Sequence, residues 1–311
     1  MRLLCKATLA GACWLALAGA AAATQAGKPD AAAEKDPFLR LKNIPLSDDG
    51  AIGLSLGGQV RVRVEFSRHP VFGLASPDQN NGLLIRSFLS ADLRLGPYLR
   101  GLVQFASGQA PIWAGTPPGT QLDRLDLQQG YGELTVPISA GSVMVRAGRQ
   151  EMSFGASRLV SVRESPNIRR AFDGVRVAWI GSPDTRIDAF LVRPVLPRTG
   201  LFDDKSDPAQ VFWGVYGTSV VPGIPGLKGD LYYLGLNREK ARFAQGTADE
   251  HRHTVGARLF GAAAGFDWNV EGAYQFGRFG RADIQAWMAS ATVGYSFAGM
   301  PFSPRLGLNA D

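Results

Sequence analysis

Val60-Arg61-Val62-Arg63-Val64-Glu65-Phe66 alternates, residue by residue, between an apolar side chain and a charged one. An extended strand sorts these two sets cleanly, because successive side chains leave opposite faces. A helix would instead wind the charges around its circumference. Turning an arginine toward the midplane of a bilayer costs roughly 2–4 kcal/mol. In a membrane, therefore, the strand has one permitted register, with Arg61 and Arg63 on the wet side and the valines against hydrocarbon.

The same alternation recurs along the chain. In 82–95 Leu83, Ile85, Leu89, Ala91, Leu93 and Leu95 oppose Arg86, Ser90, Asp92 and Arg94; after Gly96-Pro97, Leu99, Val103 and Phe105 oppose Arg100 and Gln104. Two such runs around a Gly-Pro turn predict a hairpin. The pattern predicts strands at 52–67, 82–95, 98–107, 124–136, 142–151, 172–180, 186–193, 210–220, 230–237, 252–260, 265–276, 284–297 and 304–308. A change of phase at Gln128-Gln129 predicts a bulge. Short turns alternate with longer connections near 68–81, 108–123, 152–171, 194–209, 238–251 and 277–283, the arrangement of outer-membrane barrels. Thirteen is an odd count where bacterial single-chain barrels have even ones, and the last predicted strand ends without an aromatic residue.

Composition sets the compartment. Arg2 and Lys6 precede an apolar run, 7–23, that ends in Ala21-Ala22-Ala23, so 1–23 reads as a signal peptide. Residues 24–51 read as a flexible periplasmic lead-in and 52–311 as the barrel. Both cysteines, Cys5 and Cys13, fall in the signal, which leaves no cysteine for a disulfide or a thiolate metal site. The net charge of +6 becomes +4 without Arg2 and Lys6. Its arginines are scattered with period two and not gathered on a lysine-rich face, which argues against nucleic acid. The planar guanidinium suits carboxylate recognition.

Between Arg146 and Val177 the arginines crowd: Arg146, Arg149, Arg158, Arg163, Arg169, Arg170 and Arg176, with Arg124 just before. This stretch holds Gly148-Arg149-Gln150-Glu151, then Arg158-Leu159-Val160, then Phe172-Asp173-Gly174-Val175-Arg176. In these three blocks, in this order, the chain resembles the alginate export family of outer-membrane channels. The resemblance implies an antiparallel transmembrane β-barrel of about eighteen strands, so the thirteen predicted here are expected to form an incompletely closed, amino-terminal part of one. It also implies passive passage of an anionic polysaccharide, such as alginate, or of a smaller anion through a basic lumen.

Strand phase and motif together select Arg61, Arg63, Arg86, Arg94, Arg100, Arg146, Arg149, Arg176 and Arg258 as lumen residues. Glu65, Asp92, Glu151 and Asp173 are expected to hold them apart by pairing. A second reading makes the same pairs ladders that brace the wall. Asp173-Gly174 is expected to matter structurally, through close backbone approach at the glycine. Interfacial girdles are expected among Trp113, Tyr131, Phe154, Trp179, Phe212, Trp213, Tyr232, Tyr233, Trp268, Trp287 and Tyr295. The histidines, His69, His251 and His253, read as residues in or beside loops, which gives little support to a barrel-borne hydrolase. The expected protein is a non-enzymatic, monomeric barrel in outer-membrane lipid with no cofactor or metal. A general or small-anion uptake porin is the alternative to an exporter working with a periplasmic apparatus.

Overall fold

The structure is a computed structural model that describes residues 38–69 and 79–311. The expected signal peptide and residues 24–37 of the lead-in lie outside them. The strands are β1 (Ile44–Pro45), β2 (Ile52–Arg68), β3 (Gln79–Leu95), β4 (Leu99–Ile112), β5 (Asp123–Ile138), β6 (Gly141–Gln150), β7 (Phe172–Ser182), β8 (Thr185–Leu196), β9 (Lys205–Ser206), β10 (Gln210–Val220), β11 (Leu227–Phe243), β12 (Gly246–Ala263), β13 (Phe266–Phe279), β14 (Ala282–Ser296) and β15 (Arg305–Ala310). They form one antiparallel sheet in which neighbours in sequence are neighbours in space, with β9 set beside β8. Among the described residues no pairing joins β15 to β1 or β2.

The thirteen predicted strands all occur, and the count of thirteen is corrected to fifteen by two pieces of two residues each, β1 and β9. Neither could be read from alternation, which needs more than two residues to show. β1 lies in the stretch read as lead-in, where Ile44 pairs with Leu54 and Lys42 Nζ donates to Leu56 O at 3.2 Å. The bulge also occurs: Gln104 faces Gln129 and Phe105 faces Leu127, so Gln128 is the extra residue.

Two connections are shorter than expected. β11 runs on to Phe243 and β12 starts at Gly246, while β13 reaches Phe279 and β14 starts at Ala282. Beyond the hydrocarbon a ladder needs no apolar face, so these extensions carry polar residues and resemble loop in sequence. His251, expected in the connection, accordingly sits within β12, as does its neighbour His253.

The outer face is apolar. Val60, Val62, Val64 and Phe66 are 70%, 62%, 58% and 80% exposed, while the side chains of Arg61 and Arg63 between them are 20% and 24% exposed. Leu89, Leu191, Leu231, Leu259 and Trp287 extend this surface across the sheet. Contiguous apolar surface on this scale is tolerated against lipid and not against water. Strands of this length exceed the roughly 9–11 residues that cross a bilayer. An aromatic row, Trp213, Tyr233, His253 and Phe276, crosses β10 to β13 with ring centroids 5.7, 5.9 and 5.3 Å apart. Tyr131, Phe154 and Tyr232 are not part of a girdle, for all three are buried against inner-face partners.

The core lies on the inner side. The connection 151–171 folds back so that Met152, Phe154 and Val160 pack with Phe172, Phe190, Val192, Tyr216, Tyr232 and Leu234. Phe154 stacks 4.9 Å from Tyr216, which stacks 5.1 Å from Tyr232. Farther along, Arg158 Nη1 reaches Glu271 of β13 at 2.7 Å, and Glu164 receives Arg86 of β3 at 2.9 Å. Six residues of chain span at most ~21 Å, about half of the roughly 43 Å that nine flat strand spacings occupy. The two ion pairs would have to be fully outstretched to bridge a flat sheet, so the sheet curls around this loop.

Candidate functional site

The cross-strand register sorts the predicted arginines into rows. Arg94, Arg100, Glu133, Arg146 and Arg176 stand opposite one another on β3 to β7. A second row runs Arg186, Thr218, Asp230, Arg258, Glu271 and Ser290 on β8 and β10 to β14. Because side chains directly opposite share a face, each row is a continuous polar stripe on the side turned away from the valines.

Within the first row, Arg100 grips Asp92 with Nε and Nη2 at 3.0 and 2.7 Å and lies 3.9 Å from Glu133. Arg146 Nε donates to Glu133 at 2.8 Å, and its guanidinium covers the Tyr131 ring at 4.1 Å. Arg176 donates to Asp188 at 2.8 Å, and Arg186 takes the other oxygen of that carboxylate at 2.7 Å. In the second row Asp230 accepts from Tyr216, Thr218 and Arg258 at 2.7, 2.8 and 2.9 Å. Arg149 forks onto Asp173 at 2.8 and 3.0 Å, and Ser206 of β9 caps the same carboxylate at 2.5 Å. Arg94 is exposed beside the short turn and, among the described residues, has no ion-pair partner. Of the nine predicted arginines, then, Arg100, Arg146, Arg149, Arg176 and Arg258 are held in wall ladders, as are Asp92 and Asp173.

Arg61, Arg63 and Arg86 do something different, which strand phase could not reveal. Their partners lie on the 151–171 loop. Arg61 donates to Glu164 O at 2.8 Å and Pro166 O at 3.2 Å, and Arg63 donates to Ser165 O while pairing with Glu65 at 2.8 Å. Arg86, whose side chain is only 2% exposed, meets the Glu164 carboxylate. Arg169 pairs with Glu164 and lies 3.5 Å from Glu151. Burial pushes the Glu164 carboxyl up, but Arg86 and Arg169 outweigh burial and hold it below its ordinary range. Asn167, fully buried, donates to Ile85 O at 3.0 Å, Gln109 O at 3.2 Å and Gln121 O at 3.0 Å, pinning the loop to the backbones of β3 and β4.

The loop also brings together three arginines, only one of which, Arg169, it pairs with an anion. Arg163, Arg169 and Arg170, with Asp204, line a cavity of about 150 Å³ under the loop. Among the described residues Arg163 and Arg170 form no ion pair, and burial together with the Arg163 charge lowers the affinity of Arg170 for its proton. The crowding of arginines in the sequence signals this cavity. The inward fold of the loop is visible only in its contacts.

A single antiparallel sheet with a lipid-ready outside and charged rows inside defines an outer-membrane β-barrel of the Gram-negative type. The chain belongs to the alginate export family, whose description, alginate export, it matches over residues 53–311. No curated protein matches it. Among solved structures it is similar in fold to OccAB1 of Acinetobacter baumannii, with 10% identity, a TM-score of 0.50 and coverage of 83% of this chain and 64% of that one. The chain thus spans somewhat under two thirds of the length of OccAB1. OccD3 (OpdP) of Pseudomonas aeruginosa also matches, with 14% identity, a TM-score of 0.43 and coverage of 79% and 68%.

Proposed function

We propose that this barrel is a channel that passes an anionic solute by diffusion, an anionic polysaccharide such as alginate in the first instance, with the 151–171 loop as its narrow point. The observation that carries this reading is the loop cavity, lined by Arg163, Arg169 and Arg170, in which Arg169 is paired with Glu164 while Arg163 and Arg170 form no ion pair among the described residues. A surplus of fixed positive charge between low-dielectric walls concentrates anions and repels cations. The wall ladders serve this in another way. Arginines already neutralised by Asp92, Glu133, Asp173 and Asp188 keep the lumen polar without trapping a polyanion. Family membership favours the polysaccharide, and the size of the cavity, suited to one carboxylate group at a time, also suits a small-anion porin.

The test is reconstitution of the chain in planar bilayers under a salt gradient. Replacing both Arg163 and Arg170 with glutamine is expected to move the reversal potential toward the cation side; an unchanged reversal potential refutes the proposal. Uronate oligomers added to one chamber then separate the cargoes. They are expected to block current through a polysaccharide channel at concentrations where monomeric gluconate does not.

A further inference from the structure

A second cluster lies beside the arginine loop and has the opposite charge. At the start of β5 the partners Gly108 and Ala106 are two residues apart, whereas the residues facing them, Asp123 and Asp126, are three apart. The extra residue brings both aspartates to the same, buried side of β5. The connection between β8 and β9 returns over them. Phe202 N donates to Leu125 O at 3.0 Å, and the amides of Asp203 and Asp204 donate to Asp126 Oδ2 at 2.7 and 2.9 Å. One carboxylate oxygen from each of Asp123, Asp126 and Asp204 lies within 4.8 Å of the other two.

Charge is not balanced there. Among the described residues Arg149 is the cation in contact with the cluster, 3.7 Å from Asp126 and 3.3 Å from Asp204 O, and its fork is committed to Asp173; Arg163, Arg169 and Arg170 share a cavity with Asp204 but form no ion pair with it. Asp123 is 1% exposed and its Oδ1 has no hydrogen-bond partner; Asp203 Oδ1, buried at the same place, has none either. A buried carboxylate oxygen without a donor is costly unless a cation meets it.

We infer that Asp123, Asp126 and Asp204, with Asp203 beside them, bind a hard divalent cation, Ca²⁺, that clamps the β8–β9 connection onto the bulge of β5. Oxygen donors alone select a hard ion. Calcium takes about six to eight oxygen ligands in flexible geometry, whereas magnesium usually keeps several waters and is held by one or two carboxylates. Three aspartates converging from β5 and the β8–β9 connection therefore favour calcium. Tetrahedral zinc, which favours nitrogen and sulfur ligands, finds none here. A sequence reading that looks for Cys and His passes this site over.

The experiment uses the full chain, refolded in detergent free of lipopolysaccharide and stripped with chelator, and measures radioactive calcium retained in equilibrium dialysis. Wild type is expected to bind calcium; Asp123→Asn and Asp204→Asn are expected to bind it at least tenfold more weakly. Asp184→Asn, which removes the partner of Lys228 in a distant short turn, is the control expected to match wild type. Absence of binding in wild type, or equal binding by all four proteins, overturns the site, and equal displacement by magnesium overturns its assignment to calcium. Should Asp123→Asn fail to recover the heat-modifiable β-form, Asp204→Asn, which lies in a connection, decides the matter.

Discussion

Glu164→Gln isolates what holds the inner loop. Its carboxylate is shared by Arg86 at 2.9 Å, Arg61 at 3.5 Å and Arg169. Arg86 is all but fully buried, so its charge-assisted bond is worth about 1.5 kcal/mol, the lower end of the usual range because Glu164 itself is half exposed. The Arg61 and Arg169 pairs reach water and add about 0.5 kcal/mol each. Glutamine keeps the shape and loses the charge, so the docked loop weakens by about 2.5 kcal/mol, on the order of 60-fold in its docking equilibrium. The backbone acceptors of Arg61, Arg63 and Asn167 remain and keep the loop seated part of the time. In single-channel recordings the variant is expected to dwell far longer in high-conductance states and to become more anion-selective, since one negative charge has left the narrow point. Dwell times and a reversal potential identical to wild type would refute both the clamp and its position in the conducting path.

Two further outcomes test the wall. Gly174 has φ +154° and faces Gly148, at φ +126°, across β6 and β7, and a Cβ on Gly174 would overlap Leu191 O; Gly174→Ala is therefore expected to cost on the order of 2 kcal/mol and to lower the yield of the heat-modifiable form on gels. Val62→Arg places a guanidinium on the apolar face and is expected to destabilise the barrel in lipid vesicles by roughly 2–4 kcal/mol, measured by urea unfolding, whereas Arg61→Gln on the adjacent position leaves the lipid-facing surface unchanged.

The strands were legible because two solvents impose a strict period of two, and Val60 to Phe66 shows it at full strength. The same rule placed Arg100, Arg146, Arg176 and Arg258 on the inner face; Arg149, three residues from Arg146 and so out of phase with it, was marked by its motif alone. The rule could not say which carboxylate each would find, because Asp188 and Asp230 reach their arginines across strands. Strand ends were misread where β11 to β14 leave the hydrocarbon, for there the apolar half of the period is no longer required. The inner loop was least legible. Glu164 and Asn167 are ordinary polar loop residues by type, and their role comes from partners about 80 to 105 positions away. Apolar inner residues such as Phe190 and Tyr216 likewise break the polar-inside rule because that loop covers them.

The span of the inner loop also constrains how the barrel is built. Hairpins β2–β3 through β13–β14 join neighbours in sequence and can be added one after another. The loop's contacts with β3 on one side and β13 on the other close only when the strands between them are in place. Chain entropy makes such distant contacts late ones. During assembly the central passage therefore stays open until the wall is nearly finished, and the segment from Met152 to Ala171 is the last to become resistant to protease.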